Sequence, residues 1–166
     1  SSIAQWAGAK RWWCLMNILE RLTERWSDID YPFLIHSSGV LRFNEIADQQ
    51  AVDLSEIKKG EVVALIGDFN PLSILTLLQL IDKNVIIVPL TIDTKAQHEY
   101  FFKSALVDVV IEGERLERRR HTKKHRFIET LRTKDHAGLV LFSTGTTGSP
   151  KAILHDLTLF MQRFET

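Results

Sequence analysis

Leu139-Val-Leu-Phe-Ser-Thr-Gly-Thr-Thr-Gly-Ser-Pro-Lys-Ala-Ile-Leu-His155 is the stretch on which the rest of the chain is read. An apolar run ends at Phe142. A glycine- and hydroxyl-rich stretch then runs from Ser143 to Ser149, Pro150 and Lys151 follow, and apolar residues resume at Ala152. This layout predicts a strand, an anion-grasping loop and a second strand. Gly145 and Gly148 carry no Cβ, so the backbone there reaches unusual torsions and approaches a ligand closely. Successive N–H groups in such a turn converge on an anion. Ser143, Thr144, Thr146, Thr147 and Ser149 each add a hydroxyl donor, and Lys151 adds a cation after a proline that restricts the local backbone. A polyphosphate is the anion that fits this set. The plainer reading of a short glycine loop is a hairpin turn without a ligand. A nine-residue pattern ending in lysine between two apolar runs favours the phosphate loop.

Two common nucleotide loops are excluded by spacing. A Walker A loop places lysine directly after its second glycine and a hydroxyl residue next. Here Ser149 and Pro150 separate Gly148 from Lys151, and Ala152 follows. The dinucleotide fingerprint needs glycines spaced G-x-G-x-x-G, and this loop does not have them.

Working outward, helical and strand patterns alternate. Leu15, Ile18, Leu19, Leu22 and Trp26 recur at helical spacing, giving one apolar face that reads as core. Phe33–His36 and Val40–Phe43 predict a hairpin around Ser37-Ser38-Gly39. Asn44 is placed to cap a helix running to about Val52. Val62–Ile66 is a continuous β-branched and aliphatic run, the pattern of a strand buried on both faces. Asn70-Pro71 marks a helix start, with Ile74, Leu75, Leu78 and Ile81 along it to Asp82. Val85–Leu90 is the next buried strand. Asp93 is placed to cap a helix through Tyr100, Phe101, Phe102 and Ala105, and Val107–Ile111 is a strand again. Such alternation predicts an α/β fold: βαβ units, a mainly parallel sheet and flanking helices. No internal repeat, low-complexity tract or second domain boundary is evident.

Composition narrows the function classes. The 166 residues are 45% hydrophobic and 25% charged, ordinary values for a cytoplasmic globular protein. Lys+Arg and Asp+Glu both number 21, which gives no global pull toward nucleic acid or acidic membranes. A single cysteine, Cys14, permits no internal disulfide. Apolar stretches are interrupted well before the roughly 20 residues a membrane-spanning helix needs. Trp12-Trp13-Cys14-Leu15-Met16 is too short and too soon followed by charges to be a secretory signal. Glu114–Arg126 is locally basic. It reads as a solvated connection between strands rather than a nucleic-acid patch, because no aromatic residue interleaves the cations. His121, His125 and His136 lack metal-ligand spacing and read as surface residues. His155 reads as a polar residue at a strand end, with contact to a ligand as the alternative. No metal ligand is assigned.

Ser143-Thr-Gly-Thr-Thr-Gly-Ser-Pro-Lys151 resembles the phosphate-loop signature of the adenylate-forming (AMP-binding) superfamily, which includes acyl-CoA synthetases, adenylation domains of non-ribosomal peptide synthetases and luciferases. Relatives usually carry glycine after the lysine, where this chain has Ala152. Val40–Ala47, Glu61–Gly67, Leu80–Leu90 and Ala105–Ile111 are similar, in order, to earlier segments of these enzymes. Asn84 stands where glycine is usual, and asparagine tolerates a left-handed backbone. The likeness runs from about Met16 to the end. Residues 1–15 therefore read as a tag, an upstream tail or a mis-called start, and 16–166 as the N-terminal part of the AMP-binding domain.

The resemblance implies an ATP-dependent, AMP-forming ligase. In such enzymes a small carboxylic acid attacks the α-phosphate of magnesium-bound ATP, giving an acyl-adenylate and pyrophosphate. A thiol, that of coenzyme A or a phosphopantetheine arm, then takes the acyl group. Ser143, Thr144, Gly145, Thr146, Thr147, Gly148, Ser149 and Lys151 would hold the leaving phosphates, with Lys151 stabilising their charge. The family's adenine, ribose and metal motifs lie downstream of this loop, so these 166 residues alone are expected to be inactive. The alternative is a non-catalytic nucleotide-binding or interaction fragment with a relic loop.

Overall fold

A computed structural model describes residues 52–67, 71–143 and 148–164. The expected helix around 15–26, the hairpin around 37–39, the cap at Asn44 and the boundary at residue 16 lie outside the described residues. The described part is a six-stranded mixed sheet with flanking helices, an α/β fold. In chain order the elements are β1 (Val62–Ile66), α1 (Pro71–Asp82), β2 (Ile86–Leu90), a 3-10 segment (Ile92–Gln97), α2 (His98–Ser104), β3 (Val109–Glu112), β4 (Arg115–Arg118), α3 (Arg126–Lys134), β5 (Gly138–Phe142), β6 (Ala152–Asp156) and α4 (Leu157–Phe164).

The strand order is β4-β3-β1-β2-β5-β6. β3, β1, β2 and β5 are parallel, while β4 and β6 pair antiparallel to their neighbours. All carboxyl ends of the parallel strands therefore lie along one edge. β1, β2 and β5 are buried along their whole length, as expected of parallel strands covered on both faces. Their Val, Ile and Leu side chains form one core with Leu75, Leu77 and Leu80 of α1, Phe101 of α2 and Ile128 and Leu131 of α3.

Local chemistry sets the turns. Pro71 occupies the first position of α1, where its missing N–H costs nothing. After α1 the chain reverses at Asn84, whose φ is +56°. This is the left-handed conformation that asparagine tolerates, and the Asn84 carbonyl accepts from Gly60 N–H at 3.0 Å. Pro89 lies within β2, yet the β2–β5 ladder covers only Ile86↔Gly138 and Ile87↔Leu139. Alternate residues of a parallel strand bond to opposite neighbours. Pro89 falls on the β5 side, where its missing N–H cannot extend the ladder. Val140, Leu141 and Phe142 pair with β6 alone, and the two strands part as they approach the carboxyl edge.

Two expectations need correction. Asp93 does not cap an α-helix. It lies inside the 3-10 segment, and α2 begins at His98. Thr94 Oγ1 donates to Thr91 O at 3.0 Å and His98 Nε2 lies 2.9 Å from the same carbonyl, which tightens this turn. The charged stretch after Ile111 is not wholly a solvated connection. A two-residue turn with Gly113 at φ +61° folds Glu112 back on Arg115 and makes β4, a use of glycine typical of tight hairpins. His125 Nδ1 then accepts from Phe127 N–H to cap α3, and Asp135 ends that helix at φ +55°. The alternating charges hid both elements.

His121 and His125 are exposed, as expected of surface residues, and His136 is half-buried; His121 and His136 each sit beside a carboxylate. His121 Nε2 lies 2.8 Å from Asp108 Oδ1. Asp108 Oδ2 accepts from the buried Val62 N–H at 2.8 Å. His136 Nδ1 lies 2.7 Å from Asp156 Oδ2, while Asp156 Oδ1 caps α4 through Leu159 N–H at 2.9 Å. Among the described residues no helix is long and apolar enough to cross a membrane.

Glu61 ties the start of β1 to β4. Burial pushes its carboxyl up, but hydrogen bonds from Arg118 and the Lys58 N–H, with their charges, outweigh this and hold it below the usual glutamate value. A carboxyl with a depressed folded-state pKa contributes stability above its unfolded pKa and loses it as pH falls through the folded one. Glu61→Gln is therefore expected to flatten the fall in stability below about pH 4.3, the ordinary glutamate value. Urea denaturation at a series of pH values, wild type against variant, measures it.

Candidate functional site

The loop sits where β5 ends at the carboxyl edge of the parallel strands. β5 and β6 pair from Gly138↔Asp156 to Phe142↔Ala152, and residues 143–151 connect them. The strand–loop–strand layout read from the sequence is the observed one. In open α/β sheets the crevice outside the carboxyl ends of the strands is where ligands bind.

The neck is closed by two hydrogen bonds. Ser143 N–H donates to Lys151 O at 2.9 Å. Lys151 N–H donates to Ser143 Oγ at 3.1 Å. The Ser143 hydroxyl is thus spent as an acceptor inside the loop, while its O–H hydrogen remains able to point elsewhere. Gly148 has φ +96° and nothing within 4 Å of where a Cβ would stand. Its need for glycine is therefore conformational, not steric. Gly148, Ser149 and Lys151 are exposed, and Ser143 and Pro150 are half-buried. Thr144, Gly145, Thr146 and Thr147 lie outside the described residues. The described limbs thus bring Ser143 and Lys151 together at the neck, with the lysine side chain exposed on the same connection as Gly148 and Ser149.

Two residues that motif reading missed hold this loop from α2. Tyr100 Oη donates to Pro150 O at 2.7 Å. The rings of Phe101 and Phe142 lie 4.3 Å apart, with Phe101 only 5% exposed. Phe142 is the last residue of β5, so both ends of the loop are tied to one helix. A separation of 50 residues between Tyr100 and Pro150 left no local signal for either contact.

His155 is the penultimate residue of β6, paired with Leu139, and its ring lies 6.1 Å from that of Phe160. Four residues separate it from Lys151 at the neck, roughly 13 Å along the strand. Among the described residues no group of three or more His, Cys, Asp or Glu side chains is placed to hold a metal ion. A separate hollow of about 350 Å³ opens between α2 and the end of β3, lined in part by Ile66, His98, Glu99, Phe102, Glu112 and Arg119. Its lining comes from β1, β3, β4, the 3-10 segment and α2 and includes no residue of the loop.

No family model matches the chain, and no curated protein matches it. Among solved structures, the chain is similar to the Klebsiella oxytoca NpsA N-terminal subdomain, solved in complex with anthranilyl-AMSN, with 19% identity and a TM-score of 0.47. The match covers 84% of this chain, and the chain spans 40% of the length of that one.

Proposed function

We propose that this chain supplies the phosphate-binding loop of an ATP-dependent, AMP-forming carboxylate ligase. One observation carries the reading: the signature Ser143–Lys151 forms the connection at the carboxyl end of a parallel strand, with its neck closed by Ser143 and Lys151. Loop composition alone would fit many turns. Composition, position in the sheet and an exposed lysine together fit a polyphosphate.

In the proposed reaction a carboxylate oxygen of a small acid attacks the α-phosphorus of ATP. The bond from that phosphorus to the bridging oxygen breaks, and pyrophosphate leaves as an acyl-adenylate forms. A thiol of coenzyme A or a phosphopantetheine arm is the proposed acyl acceptor. The loop's part is electrostatic. Negative charge grows on the leaving phosphates, and donors already held in place stabilise it without having to reorganise. Interactions stronger in the transition state than with bound ATP raise the rate rather than only the affinity. Magnesium favours phosphate oxygens and water over protein cages. In this proposal the metal comes with the nucleotide.

Exchange of labelled pyrophosphate into ATP by the full-length protein tests the reading. Exchange that requires both magnesium and an added carboxylic acid is the expected result. Absence of exchange across a panel of aliphatic, aromatic and amino acids would count against it.

A further inference from the structure

We infer that Tyr100 is a positioning residue for the loop, acting on Lys151 through the peptide group that precedes it; this rests on the reading of the loop as a polyphosphate site. The Pro150–Lys151 peptide is planar, and its carbonyl oxygen and N–H project in opposite directions. The oxygen accepts from Tyr100 Oη at 2.7 Å and the N–H donates to Ser143 Oγ at 3.1 Å. Held at both edges, the plane cannot turn without losing a bond, and its rotation sets the direction in which Lys151 leaves the backbone. The following peptide is tied as well, because Lys151 O accepts from Ser143 N–H at 2.9 Å. The lysine side chain is exposed, yet both peptide groups flanking it are fixed. That is how a cation is aimed before its ligand arrives.

The brace has a firm base. Phe101, the next residue of α2, packs its ring at a tilt against Phe142 at the other end of the loop. Glu99, the residue before, pairs with Arg119 just past β4 through two hydrogen bonds of 3.1 and 2.7 Å. Consecutive residues of one short helix therefore fix the loop's entry, the loop's exit and the helix itself. Tyr100 is 43% exposed, so its hydroxyl, more than its burial, distinguishes it from the phenylalanines at 101 and 102.

The test combines two measurements on wild type, Tyr100→Phe, Lys151→Ala and the double variant. Amide hydrogen exchange of the free proteins reads the brace, and calorimetric titration with inorganic pyrophosphate and magnesium reads the site. Tyr100→Phe is expected to speed exchange at the Lys151 amide while leaving Val62–Ile66 unchanged. It is expected to weaken pyrophosphate binding by about threefold to tenfold, the range one neutral hydrogen bond supports. In the Lys151→Ala background the same change is expected to cost nothing further, because coupled residues are not additive. Unchanged exchange at Lys151, unchanged affinity, or an equal loss in the Lys151→Ala background would each overturn the positioning role while leaving the loop reading intact. Failure of the wild type to bind pyrophosphate would instead overturn the loop reading, and the positioning role with it.

Discussion

Lys151→Ala in the full-length protein is expected to slow acyl-adenylate formation by about a hundredfold or more. Removing one preorganised donor from a developing charge costs on the order of 3 kcal/mol in the barrier, and each 1.36 kcal/mol is about tenfold in rate. The loss should fall mainly on kcat, because in the proposed reaction the charge facing Lys151 grows as pyrophosphate leaves. Lys151→Arg keeps the charge but presents a planar fork in place of a compact ammonium, so only part of the rate should return. The side chain is exposed, and exposed substitutions typically shift stability by no more than about 0.5 kcal/mol. A slow Lys151→Ala enzyme with an unchanged melting temperature therefore reports on chemistry. Unchanged pyrophosphate exchange in that variant would remove the assigned role.

The second large effect concerns the sheet that carries the loop. Ile87 is fully buried in β2, aligned with Val63 of β1 on one side and Leu139 of β5 on the other. Ile87→Ala leaves a cavity in a close-packed centre and is expected to cost about 4 kcal/mol. For a chain of this size that corresponds to a fall in melting temperature of roughly 10 °C. Ile87→Val should cost only about 1 kcal/mol. Thermal unfolding followed by circular dichroism reads both. Near-equal melting temperatures for wild type and Ile87→Ala would mean that β2 is not central.

The inner strands were legible because each of β1, β2 and β5 is a short aliphatic run. A strand buried on both faces needs no polar alternation. The start of α1 was legible from Pro71 and the reversal after it from Asn84, whose side chains restrict or tolerate the backbone torsions found there. β4 and α3 were not. In both, charged side chains cover the exposed face, and only Leu116 in β4 and Ile128 and Leu131 in α3 turn toward the core. That is too sparse an apolar set to show a period. The 3-10 turn before α2 depends on Thr94 and His98 converging on the Thr91 carbonyl, which no propensity scale encodes.

The two strands that flank Ser143–Lys151 were legible from the apolar runs on either side, and the observed geometry adds how the neck between them is closed. The brace from Tyr100 and Phe101 could not be read in advance. It depends on α2 meeting the ends of β5 and β6, a contact set by the packing of the whole sheet. Pro89 belongs to the same class. As a residue it argues against a central strand. Its tolerance became clear only with the ladder between β2 and β5 ending at Ile87.

Ser143–Lys151 is proposed to bind the phosphates that leave as pyrophosphate. Backbone amide NMR of the chain during titration with inorganic pyrophosphate and magnesium tests it most directly. Saturable shifts concentrated at Ser143, Gly148, Ser149 and Lys151, needing markedly more pyrophosphate in Lys151→Ala, are the expected result. Shifts spread over the basic residues between Arg115 and Arg126, with the loop amides unmoved, would contradict it.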